Sequence, residues 1–224
     1  MSDLREDARS EYDELFAAPG EAEQRITDTV RRAFRDAASP YLSNPMPWFA
    51  WALILPAAAL LTPEALQLGR EPGVTVLWSL AILVGGAIEG LTILRQQRRR
   101  GRSSLGAWAM RAQGNLSLVA VVLSGLLVWL DGARLLPALW LLLLGHNLFS
   151  LGGLAFPPMR FAGLLYQAGG LAALVPGSRP LWAMAAATAL GNFSIGWGIV
   201  RERARVRARE RALQAADEPE NGVS

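Results

Sequence analysis

The chain has 224 residues, a formal net charge of +3, 52% hydrophobic residues, no cysteine and one histidine, His146. Those counts exclude disulfides, thiolate nucleophiles and metal or haem sites built from cysteines or several histidines. All 22 basic residues are arginine, which excludes lysine bases and Schiff-base lysines.

The arginines fall in clumps between long apolar runs, so the favoured partner is the bilayer surface and its anionic lipid headgroups, not nucleic acid. Arginine without lysine, in a chain rich in Ala, Gly and Leu, reads as the usage of a GC-rich bacterial genome.

Residues 1–45 are expected to form a cytoplasmic helical segment. Ser2 to Phe16 is acidic, with Leu4, Ala8, Tyr12, Leu15 and Phe16 at helical spacing, and Pro19-Gly20 breaks it. Glu21 to Ala38 has the pattern of an amphipathic helix. Ala22, Ile26, Val30, Ala33, Phe34 and Ala37 share one face, opposite Arg25, Arg32 and Arg35. Ser39-Pro40 is expected to end it. Such a helix suits either the headgroup region or the protein's own loops.

Residues 46–200 hold six apolar spans: Met46 to Thr62, Val74 to Leu94, Asn115 to Leu130, Leu135 to Gly153, Arg160 to Val175 and Leu181 to Val200. Apolar all round, they read as lipid-facing helices. The expected fold is an all-α polytopic membrane protein, six transmembrane helices arranged as three hairpins. Sixteen arginines flank one set of span ends and three, Arg70, Arg134 and Arg179, flank the other. The positive-inside rule then puts both termini in the cytoplasm, with the cytoplasmic (inner) membrane of a bacterium as the expected location. Tryptophans lie near both sets of ends, except Trp140, which sits within the fourth span. Residues 201–224 form a basic tail, disordered at its end. Arg98, Arg99, Arg100, Arg201 and Arg203 are the expected headgroup contacts.

Polar residues inside hydrocarbon are costly and need partners. Glu89, Asn115, His146, Asn147, Tyr166, Gln167 and Asn192 all fall in the halves of their spans nearest the arginine clumps. They form a candidate binding belt. Related segments, Asn147-Leu148-Phe149-Ser150-Leu151-Gly152 and Asn192-Phe193-Ser194-Ile195-Gly196, hint at repeated hairpins. Glycine pairs such as Gly86-xxx-Gly90 suit close helix packing, within the chain or in a homo-oligomer.

Three functions fit this belt. It lines a cytoplasm-facing cavity that binds or permeates a small solute or ion, or it only holds together a non-catalytic scaffold or regulatory subunit, or Glu89 and His146 act as acid and base. The last is the weakest, because no catalytic motif, metal cluster or phosphate loop accompanies them. No catalytic residue, metal or cofactor is therefore assigned.

Overall fold

The computed structural model describes residues 19–100, 104–152 and 155–217, with side chains placed except at 19–22, 34–41, 69, 70, 100, 104–110, 151 and 215–217. The acidic stretch Ser2 to Phe16 and the end of the basic tail lie outside the described residues. What is described is helical, with no strand.

Helix α1 spans Pro19–Leu42 and α2 spans Met46–Arg100. Helix α3 follows at Ser104–Trp129, then a 3-10 turn at Ala133–Leu135 leads into α4, Leu136–Asn147. A π-turn, Leu148–Gly152, continues α4, and α5 (Pro157–Leu174) and α6 (Pro180–Asp217) complete the chain. α1 begins two residues before the expected start and runs through Pro40, so Ser39-Pro40 does not end it.

The largest departure from the sequence reading lies in α2. Pro63 to Gly73 reads as a loop, yet the chain is wound helically on both sides of a tight reversal. The helix is not straight. Trp51 and Glu89, 38 residues apart, are hydrogen-bonded, whereas a straight helix would hold them about 57 Å apart. Thr62 and Trp78 also meet. The chain therefore doubles back near 69–70, where two apolar segments, Met46–Leu68 and Glu71–Arg99, abut. Gly73 makes this possible, because a Cβ there would stand 2.5 Å from the carbonyl oxygen of Ala65.

Five segments are long and apolar enough to cross a membrane: Met46–Leu68, Glu71–Arg99, Arg111–Trp129, Ala133–Ser150 and Pro180–Gln214. They mark an integral, multi-pass membrane protein. The fifth expected span, Arg160 to Val175, corresponds to α5, which carries Arg160, Tyr166 and Gln167 and does not reach that apolarity. Its position explains its composition. α5 packs between α4 and α6, so much of its surface meets protein rather than lipid and need not be apolar.

The core gathers around α6. Half of its spanning segment is buried within the protein, against 6% for Glu71–Arg99 and for Arg111–Trp129. One cluster joins Ala59, Leu141, Tyr166, Met184, Ala185 and Ala187. Another joins Met159, Ala162, Ile195 and Ile199, with Leu42, Trp48, Leu148 and Phe156 packed on it. Thus the first half of α2, together with α4, α5 and α6, forms the packed body, and the return half of α2 and α3 lie at its margin.

Backbone contact between α4 and α5 needs glycine. A Cβ at Gly163 would lie 2.6 Å from the Phe149 nitrogen and 2.7 Å from the Gly145 oxygen, and one at Gly145 would lie 2.9 Å from the Gly163 oxygen. Small residues let membrane helices touch in this way, where dispersion replaces the hydrophobic effect as the driving force. On α6, Gly191 seats the Tyr166 ring and Gly196 the Phe49 ring. Gly86 and Gly90, by contrast, face open space. Gly163→Ala should therefore destabilise the folded state by about 1–3 kcal/mol, the usual cost of overpacking, while Gly86→Ala should be neutral. Thermal unfolding of both variants in the same detergent checks this, and equal melting temperatures would contradict it.

Candidate functional site

Five pairs of polar side chains each link consecutive helical segments. Nearest the arginine-rich ends are three such ties. Trp51 Nε1 donates to Glu89 Oε2 at 2.9 Å. Asn147 Nδ2 donates to Gln113 Oε1. Asn192 Nδ2 donates to Tyr166 Oη at 2.8 Å and to the Thr188 carbonyl at 2.9 Å.

Local packing explains why these partners meet. Gly85 stands one helical turn before Glu89, and a Cβ on it would strike the Trp51 ring at 2.4 Å. The missing side chain lets the indole lie flat on the return helix with its N–H over the carboxylate. Gly191 does the same for Tyr166, whose ring occupies the place of a side chain and brings its hydroxyl to Asn192. In each case a glycine beside the polar residue admits the partner's ring.

Two further ties lie deeper in the spans and share one design. Thr62 Oγ1 donates to the Ala58 carbonyl and accepts from Trp78 Nε1 at 3.1 Å. Ser124 Oγ donates to the Ala120 carbonyl and accepts from Trp140 Nε1, also at 3.1 Å. Hydroxyl and indole are 16 residues apart in both. A single shift of 62 residues carries Thr62 onto Ser124, Trp78 onto Trp140 and Trp51 onto Gln113. This relation was missed in the sequence, although Ser/Thr followed by Trp at a spacing of 16 is the signal that reveals it. It accounts for Trp140, whose indole needs a hydrogen-bond acceptor within hydrocarbon.

The seven belt residues consequently occupy different surroundings. Tyr166 and Asn192 are buried together and hydrogen-bonded to each other. Glu89 and Asn147 are half-buried, each bonded to a residue outside the set. Gln167 is half-buried where α5 crosses Gly145. Asn115 and His146 are exposed on the surface of the bundle. A cation–π contact places the Arg160 guanidinium 5.5 Å from the centre of the Phe149 ring, tying the start of α5 to the π-turn.

Among the described residues no three His, Asp or Glu side chains converge, and no buried side-chain polar atom lacks a partner. A cleft of about 280 Å³ lies between the first half of α2 and the start of α6, lined by Ala59, Leu60, Arg179 and Trp182 among others. A second runs along α1, past Glu23, Thr27 and Arg31. Neither contains a residue of the belt. Comparison with family models, with curated proteins and with solved structures found no match.

In membranes such side-chain ties contribute on average about 0.6 kcal/mol and at most about 1.7 kcal/mol. The Asn192–Tyr166 tie, being buried, should fall in the upper part of that range. A double-mutant cycle with Tyr166→Phe and Asn192→Ala, read by reversible unfolding in bicelles, should return a coupling of about 1 kcal/mol. A coupling indistinguishable from zero would show that the contact does not help specify the bundle.

Proposed function

We propose that this chain is a non-catalytic membrane scaffold or regulatory subunit that presents cytoplasmic helices to partners or anionic lipid. The observation that carries this reading is the pairwise use of the belt. Glu89, Asn147, Tyr166 and Asn192 spend their hydrogen bonds on neighbouring helices. Groups so engaged specify how helices pack, and a solute would have to break those bonds to use them.

In this reading six segments cross the membrane as three hairpins, α5 being the fifth, in a bacterial inner membrane with both termini cytoplasmic. The ties between consecutive segments support the hairpins, and the arginine count supports the orientation. The amphipathic pattern of α1 supports a position in the headgroup layer. Ile26 and Val30 are exposed, as suits side chains that insert into the acyl boundary, and Arg25, Arg31 and Arg32 are exposed with them. Arg98, Arg99, Arg201 and Arg203 are exposed too, as headgroup contacts require. Side-chain placement at Arg100 lies outside the described residues. The open face at Gly86 and Gly90 suits close approach by a helix of a second copy.

The reading as a solute-binding or permeating protein is favoured by one observation, the exposure of Asn115 and His146 near the same end of the bundle. The two are separable by labelling, since the chain has no cysteine of its own. Single substitutions Asn147→Cys, Asn192→Cys and Ala208→Cys would be treated with a membrane-impermeant thiol reagent in vesicles of each orientation. The scaffold reading expects rapid labelling at 208 from the cytoplasmic side alone and none at 147 or 192. Labelling of 147 and 192 from the cytoplasm would reveal a water-filled route and overturn it.

A further inference from the structure

We propose that the exposed end of α6 is a docking site for the acidic residues 2–16 of the same chain. Helix α6 is unbroken from Pro180 to Asp217. About 20 residues of it suffice to cross the hydrocarbon core, so the helix leaves that core near Val200. Every residue from Arg201 to Gln214 is exposed.

The stalk stands clear of the lipid it emerges from. At 1.5 Å per residue, Arg207 and Arg211 lie about 10 Å and about 16 Å beyond the hydrocarbon edge. The headgroup layer is only about 5–7 Å thick on each side, and charge interactions fade over about 8 Å at physiological salt. Arg201, Arg203, Arg205 and Arg207 therefore stay within screening distance of headgroups, while Arg211, about 9–11 Å beyond them, is open to another anionic partner.

Their arrangement is specific. Arg203, Arg207 and Arg211 are spaced four apart, so they form a ladder along one face. Arg201, Arg205 and Arg209 form a second ladder on the far side, where Arg205 pairs with Glu202 at 3.6 Å. Among the described residues the first ladder makes no ion pair. Residues 201–214 hold six arginines and two glutamates, and residues 2–16 hold six acids and two arginines. Within the latter, Asp3, Asp7 and Glu11 repeat the same four-residue spacing. The two segments match in charge, in count and in period.

The chain also has the reach. Leu42, at the end of α1, packs on the cluster that contains Ile199, at the root of the stalk. Pro19, at the other end of α1, is at most about 36 Å from it. Residues 2–18 extend up to about 55 Å, so the acidic segment, when extended, can return to the stalk of its own chain. Docking in this way neutralises both segments and withholds the stalk arginines from other anionic partners. It needs only a membrane-embedded α6, and so holds whether the scaffold or the solute reading stands.

The test uses the full chain in lipid nanodiscs. Ser10→Cys is combined with Ala204→Cys, which lies beside the free ladder, or with Ser178→Cys at the opposite end of the bundle as control. Under mild oxidation the 10–204 pair should close within one chain at least about five-fold faster than the 10–178 pair. Arg207→Glu with Arg211→Glu should slow closure about five-fold or more, and adding Asp7→Arg with Glu11→Arg should restore it. Ala204, Arg207 and Arg211 are exposed, and circular dichroism checks that helix content is unchanged. The rate should be equal in nanodiscs of zwitterionic and of anionic lipid. Closure no faster than the control, a product that is only a cross-linked dimer, or a rate indifferent to charge reversal would each overturn the proposal.

Discussion

The backbone crossing of α4 and α5 over Gly145 and Gly163 is the contact on which the rest of the bundle depends. In hydrocarbon, apolar side chains gain little by leaving lipid for protein, and cohesion must come from close van der Waals contact and from hydrogen bonds. The crossing supplies the first. It sets α5 in place, and α5 in turn presents Tyr166 to Gly191 and Asn192 of α6. The π-turn that extends α4 begins at this crossing, where the Phe149 backbone passes over Gly163. A widened turn of that kind is a local adjustment of helical winding, here found where two backbones would otherwise compete for space.

The hydrogen bonds supply the second contribution, and their arrangement is economical. Five ties each join a polar side chain to a partner on the segment next to it in sequence. Such ties form early if segments insert pairwise, because they close short loops. They also leave the assembly of the pairs to glycine, alanine and ring packing. The body is accordingly uneven: the first half of α2 is locked to α6 through Phe49 and Gly196, while its return half touches little besides its own partner.

How much of this could be read in the sequence follows from what each signal measures. Hydropathy over about 20 residues reports contact with lipid, so Met46–Leu68, Glu71–Arg99 and α6 were legible, while α5 was blurred because its neighbours are protein. Arginine and glycine positions were legible as residues, but not which glycine faced a backbone: Gly163 and Gly86 look alike in sequence and differ wholly in surroundings. The reversal in α2 falls within the break that Pro63 and Pro72 signal; the helical winding that carries both prolines was not legible, because neighbouring groups that satisfy the backbone leave no mark in sequence. The candidate belt was legible as a set of costly polar residues. Their partition into pairs was not, since Trp51, Gln113, Ser124 and Trp140 carry no mark in sequence of the partner each meets in space.

Continuity of α6 has a mechanical consequence. A helix of 38 residues is a rod about 57 Å long, with one part clamped by packing and the other unsupported. Such a rod is a lever whose fulcrum lies where Leu42 packs on the cluster that contains Ile199. A rotation of about 10° in the clamped part would sweep the far end through about 4–5 Å. Small rearrangements among closely packed helices, too slight to change the membrane-embedded surface, would thereby become displacements as large as a side chain in the aqueous phase.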